Sequence, residues 1–386
     1  MSDAGGRAGW RGAARAAYAK VNLTLNVTGK RPDGYHELES VMHAVTLCDD
    51  VTVWLRRLAP APSLRASPPR GSESARRGTR SNPEPMPTYA PDYSVNLGRK
   101  LNIAVSVETG DAYIASQLIP ADRSNSACRA VEAFFARRPG FEADVDIRII
   151  KRIPAAAGLG GGSADAAAVL LALNGLSGAL ACAPPFASSP YDARAGAGPV
   201  SALFTPLTDD ELLAAALEVG ADVPFCLLYG AEPIPAISPT TASNSIRVAF
   251  ATGVGEKLGP VPRPPPRYAV VLANPRAELP TARIFDMFQM PCAIETDRYT
   301  QLARAMIQSG GGHWRRCFNA LEYAAVKCCP DIARLKNFLT DAGALCASMS
   351  GSGPTVFGLF EDRAAACRAA DALRAAGGWA VACELA

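Results

Sequence analysis

The stretch Pro154-Ala-Ala-Ala-Gly158-Leu-Gly160-Gly161-Gly162-Ser163-Ala164-Asp165 is the most informative part of this chain of 386 residues. An alternating apolar strand pattern that ends at Pro154 precedes it, and an alanine-rich run typical of a buried helix follows it. Glycines let the backbone turn its N–H groups toward one point, and the positive end of a helix attracts anions. The stretch therefore predicts a strand-to-helix turn that can hold phosphate.

Two common phosphate-binding fingerprints do not fit this loop. A P-loop needs a Lys–Ser or Lys–Thr pair after its last glycine, and a Rossmann fingerprint needs glycine where Ser163 stands. A glycine loop by itself is equally compatible with a tight turn that binds nothing. Ser163 could bind phosphate or Mg²⁺, or cap the helix. Asp165 is not assigned to catalysis, because it could do no more than balance the helix dipole.

Length and composition exclude several classes of protein. The length predicts two domains, and 49% hydrophobic with 19% charged residues excludes a disordered or collagen-like chain. The net charge is only +3, which argues against nucleic acid or a membrane as the main partner. Asp165 and Asn174 interrupt the most apolar stretch, 164–182, so we expect a buried helix there and not a membrane span.

Cysteine and histidine usage bears on location and metals. The 11 cysteines are scattered without a C-x-x-C pair, a pattern typical of reduced thiols in a cytoplasmic protein, and no export signal is recognisable. The spacing of His313 and Cys317 suits a metal, but no second such pair accompanies it. We therefore assign no metal ligands and expect any metal to be Mg²⁺ that arrives with a nucleotide.

Hydrophobic periodicity and turn residues predict an α+β chain of two domains. A proline-rich segment, 260–266, separates an N-terminal domain (1–260) from a C-terminal α+β domain (267–386). The N-terminal domain carries a Pro/Arg-rich insertion at about 56–120, mobile over 56–90, and a second insertion at about 177–205. Strands are predicted within 16–53 around a turn at 32–34, and at 145–149, 247–251, 268–272, 345–349, 355–360 and after 376; helices at 124–138, 164–182, 208–220, 318–326, 331–342 and 363–376.

Two charged residues stand in apolar surroundings. Lys20 interrupts an apolar strand pattern, and Asp222 precedes Val223-Pro-Phe225 at a helix end. Burying an ammonium group is costly unless it meets a carboxylate or a phosphate. These residues are candidates for a functional pair, although a structural buried ion pair is the favoured interpretation at this point.

Several motifs resemble those of the GHMP kinases, the family of galactokinase and of homoserine, mevalonate and phosphomevalonate kinases. Gly-Leu-Gly-Gly-Gly-Ser after Pro154 resembles the phosphate-binding motif of the family. The other motifs are closest to the members that phosphorylate 4-diphosphocytidyl-2-C-methyl-D-erythritol, and they occur in the order of those members. They are Ala17–Leu23, Thr28–Leu38, Gly220–Phe225, Gly253–Glu256, Pro280–Phe285 and Gly351–Gly353.

The resemblance implies a two-domain α+β fold, with an N-terminal domain like ribosomal protein S5 domain 2 and a ferredoxin-like C-terminal domain. It implies a cytoplasmic enzyme, monomer or homodimer, that uses ATP and Mg²⁺ to phosphorylate the 2-hydroxyl of 4-diphosphocytidyl-2-C-methyl-D-erythritol in isoprenoid precursor synthesis. The active site would lie in the cleft between the domains.

The resemblance also implies roles for individual residues. Asp222 would accept the proton of the substrate hydroxyl, and Lys20 would orient Asp222 and stabilise charge near the γ-phosphate. Tyr35 and Phe285 would sandwich the cytosine ring, His36 would hydrogen-bond its edge, and Asn22 and Thr281 would hold the rest of the substrate; Gly351–Gly353 would close over the site. ATP would be bound by Asn125 and by Pro154, Ala155, Ala156, Ala157, Gly158, Leu159, Gly160, Gly161, Gly162, Ser163 and Ala164, with Ser163 as a possible contact for Mg²⁺.

Three alternatives stay open. The chain could be another GHMP kinase, acting on mevalonate or homoserine; such a substrate has no nucleobase and would leave Tyr35, His36 and Phe285 without a stacking role. It could be a non-catalytic ligand sensor that keeps the fold, which the presence of Lys20, Asp222 and Ser163 argues against. Lastly, the Arg/Pro-rich insertion could make it a scaffold for an acidic partner.

Overall fold

The computed structural model describes residues 9–58, 93–96, 100–177, 204–229, 231–233, 247–288, 293–309 and 314–386. The strands are β1 (Arg11–Lys30), β2 (His36–Arg57), β3 (Tyr93–Asn96), β4 (Lys100–Glu108), β5 (Ala143–Ile150), β6 (Ala231–Pro233), β7 (Val248–Gly253), β8 (Lys257–Gly259), β9 (Ala269–Asn274), β10 (Phe318–Asn319), β11 (Cys346–Met349), β12 (Val356–Phe360) and β13 (Trp379–Glu384). The helices are α1 (Ala112–Ala115), α2 (Ser126–Ala136), α3 (Gly161–Ser177), α4 (Asp209–Val219), α5 (Val223–Tyr229), α6 (Thr281–Met287), α7 (Ala293–Ser309), α8 (Glu322–Cys328), α9 (Asp331–Asp341) and α10 (Arg363–Ala375).

A nine-stranded sheet carries the glycine loop. Its main path runs β10-β1-β2-β5-β4-β3, and β6, β7 and β8 extend it from β1 and β2. The long strands β1 and β2 are antiparallel and joined by the turn predicted at 32–34, whereas β4 runs parallel to β5. The glycine loop follows β5, so the sheet fixes the point at which the loop starts.

Helix α3 lies in the core beneath the glycine loop. Apart from Asp165 and Asn174 its residues are small or apolar, and most of them are buried, as expected for a helix that is apolar on nearly every side. The helix begins at Gly161, and the N–H of Ala164 donates to the carbonyl of Gly160. Ser163 is therefore the third helical residue, so the expectation that it could cap the helix is wrong. No described helix is long and apolar enough to cross a membrane.

The second sheet has four antiparallel strands in the order β11-β12-β9-β13. Numbered along the chain this order is 2-3-1-4, and helices connect the first strand to the second and the third to the fourth. This β-α-β-β-α-β arrangement is ferredoxin-like and confirms the predicted fold class of the C-terminal part. All four strands follow residue 267; the exact domain bounds stay a prediction.

The predicted insertion at about 56–120 extends too far. Strand β4 and helix α1 lie inside that range, and Leu101, Ile103 and Val105 of β4 are buried in the core. The alternation of these residues with polar ones is a normal strand pattern, which the proline and arginine content of the preceding segment obscured. Residues 59–92, 178–203 and His313 lie outside the described residues, and with them most of both predicted insertions.

The helix predicted from Phe318 begins later, at Glu322. Phe318 and Asn319 instead form β10, which pairs with Thr24 and Leu25 of β1. This pairing joins two distant parts of the chain, so tertiary contacts override the helical pattern of the segment.

Candidate functional site

A cleft of about 310 Å³ lies where the glycine loop, β1, β2 and the loop between β11 and β12 meet. It lies against both sheets, since the loop between β11 and β12 belongs to the four-stranded sheet. The described residues that line it are Lys20, Asn22, Leu25, Leu38, Ser40, Met42, Ser126, Pro154, Ala155, Ala156, Ala157, Gly158, Gly160, Gly161, Gly162, Ser163, Asp222, Val254, Gly255, Thr281, Gly351 and Ser352.

Lys20 is buried under the glycine loop. The strand register of β1 shifts between Tyr18 and Lys20, an irregularity that frees the Lys20 N–H to donate to the carbonyl of Leu159 at 2.9 Å. A Cβ on Gly160 would lie 3.0 Å from Lys20 Cγ, so the loop backbone packs directly on the lysine stem. The loop and the lysine are therefore positioned by one another.

The Lys20 ammonium group has two polar partners. Its Nζ donates to Asn22 Oδ1 at 2.8 Å and lies 3.3 Å from Asp222 Oδ2. Lys20 is 4% exposed, whereas the Asp222 side chain is 36% exposed. Among the described residues lining the cleft these two are the charged ones. The structure thus brings together the predicted catalytic pair, with the carboxylate open to the cleft and the ammonium behind it.

Asn22 holds the lysine in place. Its side-chain amide accepts from Lys20 and donates to Ser40 Oγ at 2.7 Å, while its backbone N–H donates to Ser350 Oγ. Asn22 lines the cleft, as predicted for a substrate-binding residue. Because its amide is already used within the protein, the structure gives it a clear orienting role toward Lys20.

The loop between β11 and β12 braces the glycine loop. Ser350 Oγ donates to the carbonyl of Gly158 at 2.9 Å, and a Cβ on Gly158 would lie only 2.1 Å from the Ser350 carbonyl oxygen. Gly158 also has a φ of +76°, which residues with a Cβ rarely adopt. The motif Gly351–Gly353 is thus both a turn between two strands and part of the cleft wall.

The predicted ATP-binding residues divide into two groups. The backbone of 154–163 lines the cleft except at Leu159, whose side chain is buried in the core, as is that of Ala164. Asn125 does not line the cleft: its Oδ1 accepts from the N–H of Ala127, and its Nδ2 donates to the carbonyl of Pro120. The structure therefore gives Asn125 the role of capping α2, and its neighbour Ser126 lines the cleft in its place.

The three predicted aromatic residues are not among the described residues that line the cleft, but Phe285 lies one turn after Thr281, which does line it. His36 stacks on Phe285 with ring centroids 4.9 Å apart, and Thr281, one turn before Phe285 on α6, lines the cleft and contacts Ser352. Tyr35 is 65% exposed. Burial and the nearby Lys30 lower the pKa of His36, which keeps the ring neutral near pH 7. A neutral imidazole can both donate and accept a hydrogen bond, as recognition of a base edge requires.

A buried ion cluster anchors the start of α3. Lys151 Nζ contacts carboxylate oxygens of Asp49 and Asp165, and all three residues are buried. Asp49 also accepts from the backbone N–H groups of Arg152 and Ile153. Asp165 Oδ1 has no partner among the described residues, and burial raises the pKa of Asp165 to about 7 in spite of Lys151. Asp165 therefore does more than balance a helix dipole.

This cluster predicts a pH dependence of stability. The folded pKa of Asp165 lies above its ordinary value of 3.8, so between those values the folded state binds more protons than the unfolded state. The free energy of unfolding should therefore fall by about 1 kcal/mol per pH unit as the pH rises from about 4 to about 7, and level off above about pH 8. Asp165→Asn should flatten this dependence in denaturant unfolding at several pH values. The control Asp297→Asn, at an exposed helical position, should keep it; parallel curves for wild type and Asp165→Asn would contradict the assignment.

Sequence reasoning missed three contributors to the site. Ser40 and Ser350 hold Asn22, and Gln117 hydrogen-bonds to the glycine loop at Ala155. Isolated serines and glutamines carry no sequence signal, because their role depends on partners far away in the chain.

Comparisons with known proteins agree with this geometry. The family model of the GHMP kinases N terminal domain matches residues 125–182, and that of the GHMP kinases C terminal matches residues 293–378. The chain is 31% identical over 363 residues to a 4-diphosphocytidyl-2-C-methyl-D-erythritol kinase of Pelobacter propionicus, covering 94% of this chain and 95% of the relative. It is 32% identical to the kinase of that name from Pelotomaculum thermopropionicum, covering 90% and 88%.

Solved structures give the same result. A crystal structure of 4-(cytidine 5'-diphospho)-2C-methyl-D-erythritol kinase superposes with a TM-score of 0.56 at 28% identity, covering 96% of this chain and 98% of that one. A homoserine kinase from Cytophaga hutchinsonii superposes with a TM-score of 0.58 at 17% identity, covering 100% and 97%, which shows a shared fold alone. The cleft contains the glycine loop and the Lys20–Asp222 pair, and the relatives match this chain over nearly their whole length. The chain therefore belongs to the GHMP kinases, in the group of the 4-diphosphocytidyl-2-C-methyl-D-erythritol kinases.

Proposed function

We propose that this protein transfers the γ-phosphoryl group of ATP to the 2-hydroxyl of 4-diphosphocytidyl-2-C-methyl-D-erythritol, a step of isoprenoid precursor synthesis. The observation that carries the proposal is the placement of Lys20 and Asp222, 3.3 Å apart, in one cleft with the glycine loop. A base, a cation and a phosphate cradle are the parts that direct phosphoryl transfer needs.

The residues lining the cleft suit a donor that brings its own metal. Asp222 is the carboxylate among the described lining residues, and Ser126 and Ser163 supply hydroxyl oxygens. This set fits Mg²⁺ that is held mainly by nucleotide phosphates, with Ser163 as the protein contact. When bound, Mg²⁺ neutralises charge on the phosphates, while the backbone N–H groups at the start of α3 face the same charge.

The proposed transfer is a single displacement. The hydroxyl proton passes to an oxygen of Asp222, the hydroxyl oxygen forms a bond to the γ-phosphorus, and the bond from that phosphorus to the bridging oxygen breaks. The electron pair of that bond leaves with ADP. Lys20 Nζ lies 3.3 Å from Asp222 Oδ2, where it orients the carboxylate and stabilises the developing charge. The 2-carbon of the substrate carries a methyl group, so its hydroxyl is hindered and depends strongly on positioning.

Recognition of the cytidine end is assigned to Tyr35, His36 and Phe285. A cytosine ring has two flat faces and a polar edge, which aromatic rings and a neutral imidazole can bind together. His36 stacks on Phe285, which follows the cleft-lining residue Thr281 by one turn of α6, and this placement supports the assignment.

Replacing Tyr35 with alanine tests this subsite. Loss of one stacking face should raise KM for the cytidyl substrate about tenfold and leave KM for ATP unchanged. Tyr323→Ala, at another exposed tyrosine, is the matched control and should change neither constant. An unchanged KM for the cytidyl substrate in Tyr35→Ala would remove Tyr35 from the subsite.

The function itself is tested by ADP release. Purified protein is supplied with ATP, Mg²⁺ and one of three alcohols: 4-diphosphocytidyl-2-C-methyl-D-erythritol, mevalonate or homoserine. Turnover with the first alone supports the proposal, and turnover with another alcohol replaces the substrate. Absence of turnover with all three favours a ligand sensor.

The NMR signal of the transferred phosphorus shows which hydroxyl was phosphorylated. The 2-carbon bears no hydrogen, so a phosphate on the 2-hydroxyl should show no three-bond coupling to a proton, whereas a phosphate on any other hydroxyl of the substrate should show one. Cytoplasmic location and oligomeric state stay predictions.

A further inference from the structure

Gln117, between α1 and α2, forms a two-point contact with the glycine loop. Its Nε2 donates to the carbonyl of Ala155 at 3.2 Å, and its Oε1 accepts from the N–H of the same residue at 2.9 Å. A side-chain amide can make this pair of bonds because it carries a donor and an acceptor side by side. Both polar groups of the Ala155 backbone are thus fixed by one side chain.

A chain of hydrogen bonds links this contact to the opposite side of the loop. Gln117 Nε2 also donates to Tyr113 Oη at 3.4 Å, and Tyr113 Oη donates to Asn274 Oδ1 at 3.1 Å. Asn274 Nδ2 donates to Thr355 Oγ1 at 3.0 Å, and the N–H of Thr355 donates to the carbonyl of Ala157 at 3.3 Å. The bonds close a ring through the loop itself, and Tyr113, Asn274 and Thr355 are buried.

The residue inside this ring has an unfavourable backbone conformation. Ala156 has a φ of +49°, in the left-handed region that residues with a Cβ rarely adopt. Such a conformation persists only where neighbouring contacts enforce it. The bonds at Ala155 and Ala157 flank Ala156 on both sides, and all three residues line the cleft.

We propose that Gln117 is a positioning residue that holds 155–157 of the glycine loop in the conformation that receives the phosphates of ATP. This inference rests on the proposed function, in which the loop binds the nucleotide. The segment between β4 and α2 would then contribute to nucleotide binding. Its hydrogen bonds through Tyr113 to Asn274 connect it to the four-stranded sheet.

The test compares Gln117→Met, which keeps the length of the side chain and removes both bonds, with Gln301→Met, at an exposed position of α7. Gln117→Met should raise KM for ATP about tenfold, with kcat and KM for the alcohol little changed and the melting temperature kept. Gln301→Met should change none of these values. An unchanged KM for ATP in Gln117→Met would overturn the inference, as would a joint loss of kcat, both KM values and melting temperature, since that marks a purely structural role.

A double-mutant cycle tests the ring. Tyr113→Phe removes the hydroxyl between Gln117 and Asn274, while Asn274 Oδ1 still accepts from the N–H of Arg276. If the bonds act together, the effects of Gln117→Met and Tyr113→Phe on KM for ATP should be less than additive. If the two effects are fully additive, Tyr113 does not help Gln117 to position the loop.

Direct titration with ATP and Mg²⁺, without any alcohol, separates this inference from the substrate assignment. A tenfold weaker Kd in Gln117→Met, in a protein that turns over none of the three alcohols, would support Gln117 and overturn the substrate. Equal Kd values for wild type and Gln117→Met, together with normal turnover of the cytidyl substrate, would support the substrate and overturn the role of Gln117. A wild-type protein that does not bind ATP would overturn both.

Discussion

Asp222→Asn is expected to lower kcat about a thousandfold while leaving the KM for ATP within about threefold of the wild-type value. The amide has the shape of the carboxylate but cannot take up the proton of the substrate hydroxyl. Lys20 keeps its hydrogen bond to Asn22, so the geometry around the glycine loop should be retained. Steady-state ADP release and ATP titration measure the two quantities separately.

A matched control is Asp341→Asn, since Asp341 is an exposed residue at the end of α9. This variant removes the same charge far from the cleft and should keep wild-type kcat. A kcat within threefold of wild type in Asp222→Asn would show that Asp222 is not the base. A parallel loss of ATP binding would point to a structural ion pair with Lys20 instead.

Gly158→Ala is expected to disrupt the cleft more strongly than any other alanine substitution in the loop. Two costs add: the left-handed φ of +76°, at about 1–2 kcal/mol, and a Cβ 2.1 Å from the Ser350 carbonyl oxygen, at about 1–3 kcal/mol. The free energy of unfolding should therefore fall by about 2–5 kcal/mol. Because relief of the clash moves the glycine loop away from Ser350, KM for ATP should rise at least tenfold, on the order seen for misplaced binding groups.

Gly140→Ala separates these two costs. Gly140 has a similar φ of +82° but no atom within 4 Å of an added Cβ. Only the backbone cost of about 1–2 kcal/mol should appear in denaturant unfolding, with unchanged kinetics. Equal destabilisation by the two substitutions would mean that the contact between Gly158 and Ser350 contributes nothing to the cleft.

Local features of the fold were readable from the sequence. The Thr208–Glu211 capping box and Gly220 correctly predicted both ends of α4, because caps and stop signals act within a few residues. The alternation of Val21 and Leu23 with polar residues correctly predicted a strand. These signals need no knowledge of what lies across the core.

Predictions failed where a segment takes its structure or its task from a distant partner. Phe318 and Asn319, predicted as the start of a helix, instead pair with β1. Asn125 caps α2 and is not among the described residues lining the cleft, so its contact with ATP stays a prediction. Strand β4 was missed because the proline and arginine content of the preceding segment obscured its alternating pattern, and its pairing with β5 became visible only in the tertiary structure.

The sequence by itself indicated the family, the glycine loop and the candidate pair Lys20 and Asp222, because these depend on short motifs whose residue types carry the chemistry. Only the tertiary structure decided how they work together: the 3.3 Å approach of Lys20 to Asp222, and the bracing of the loop by Ser350 and Gln117. The physical reason is that motifs encode local backbone geometry and chemical type, whereas distances between remote side chains follow from sheet pairing and from the packing of one buried core.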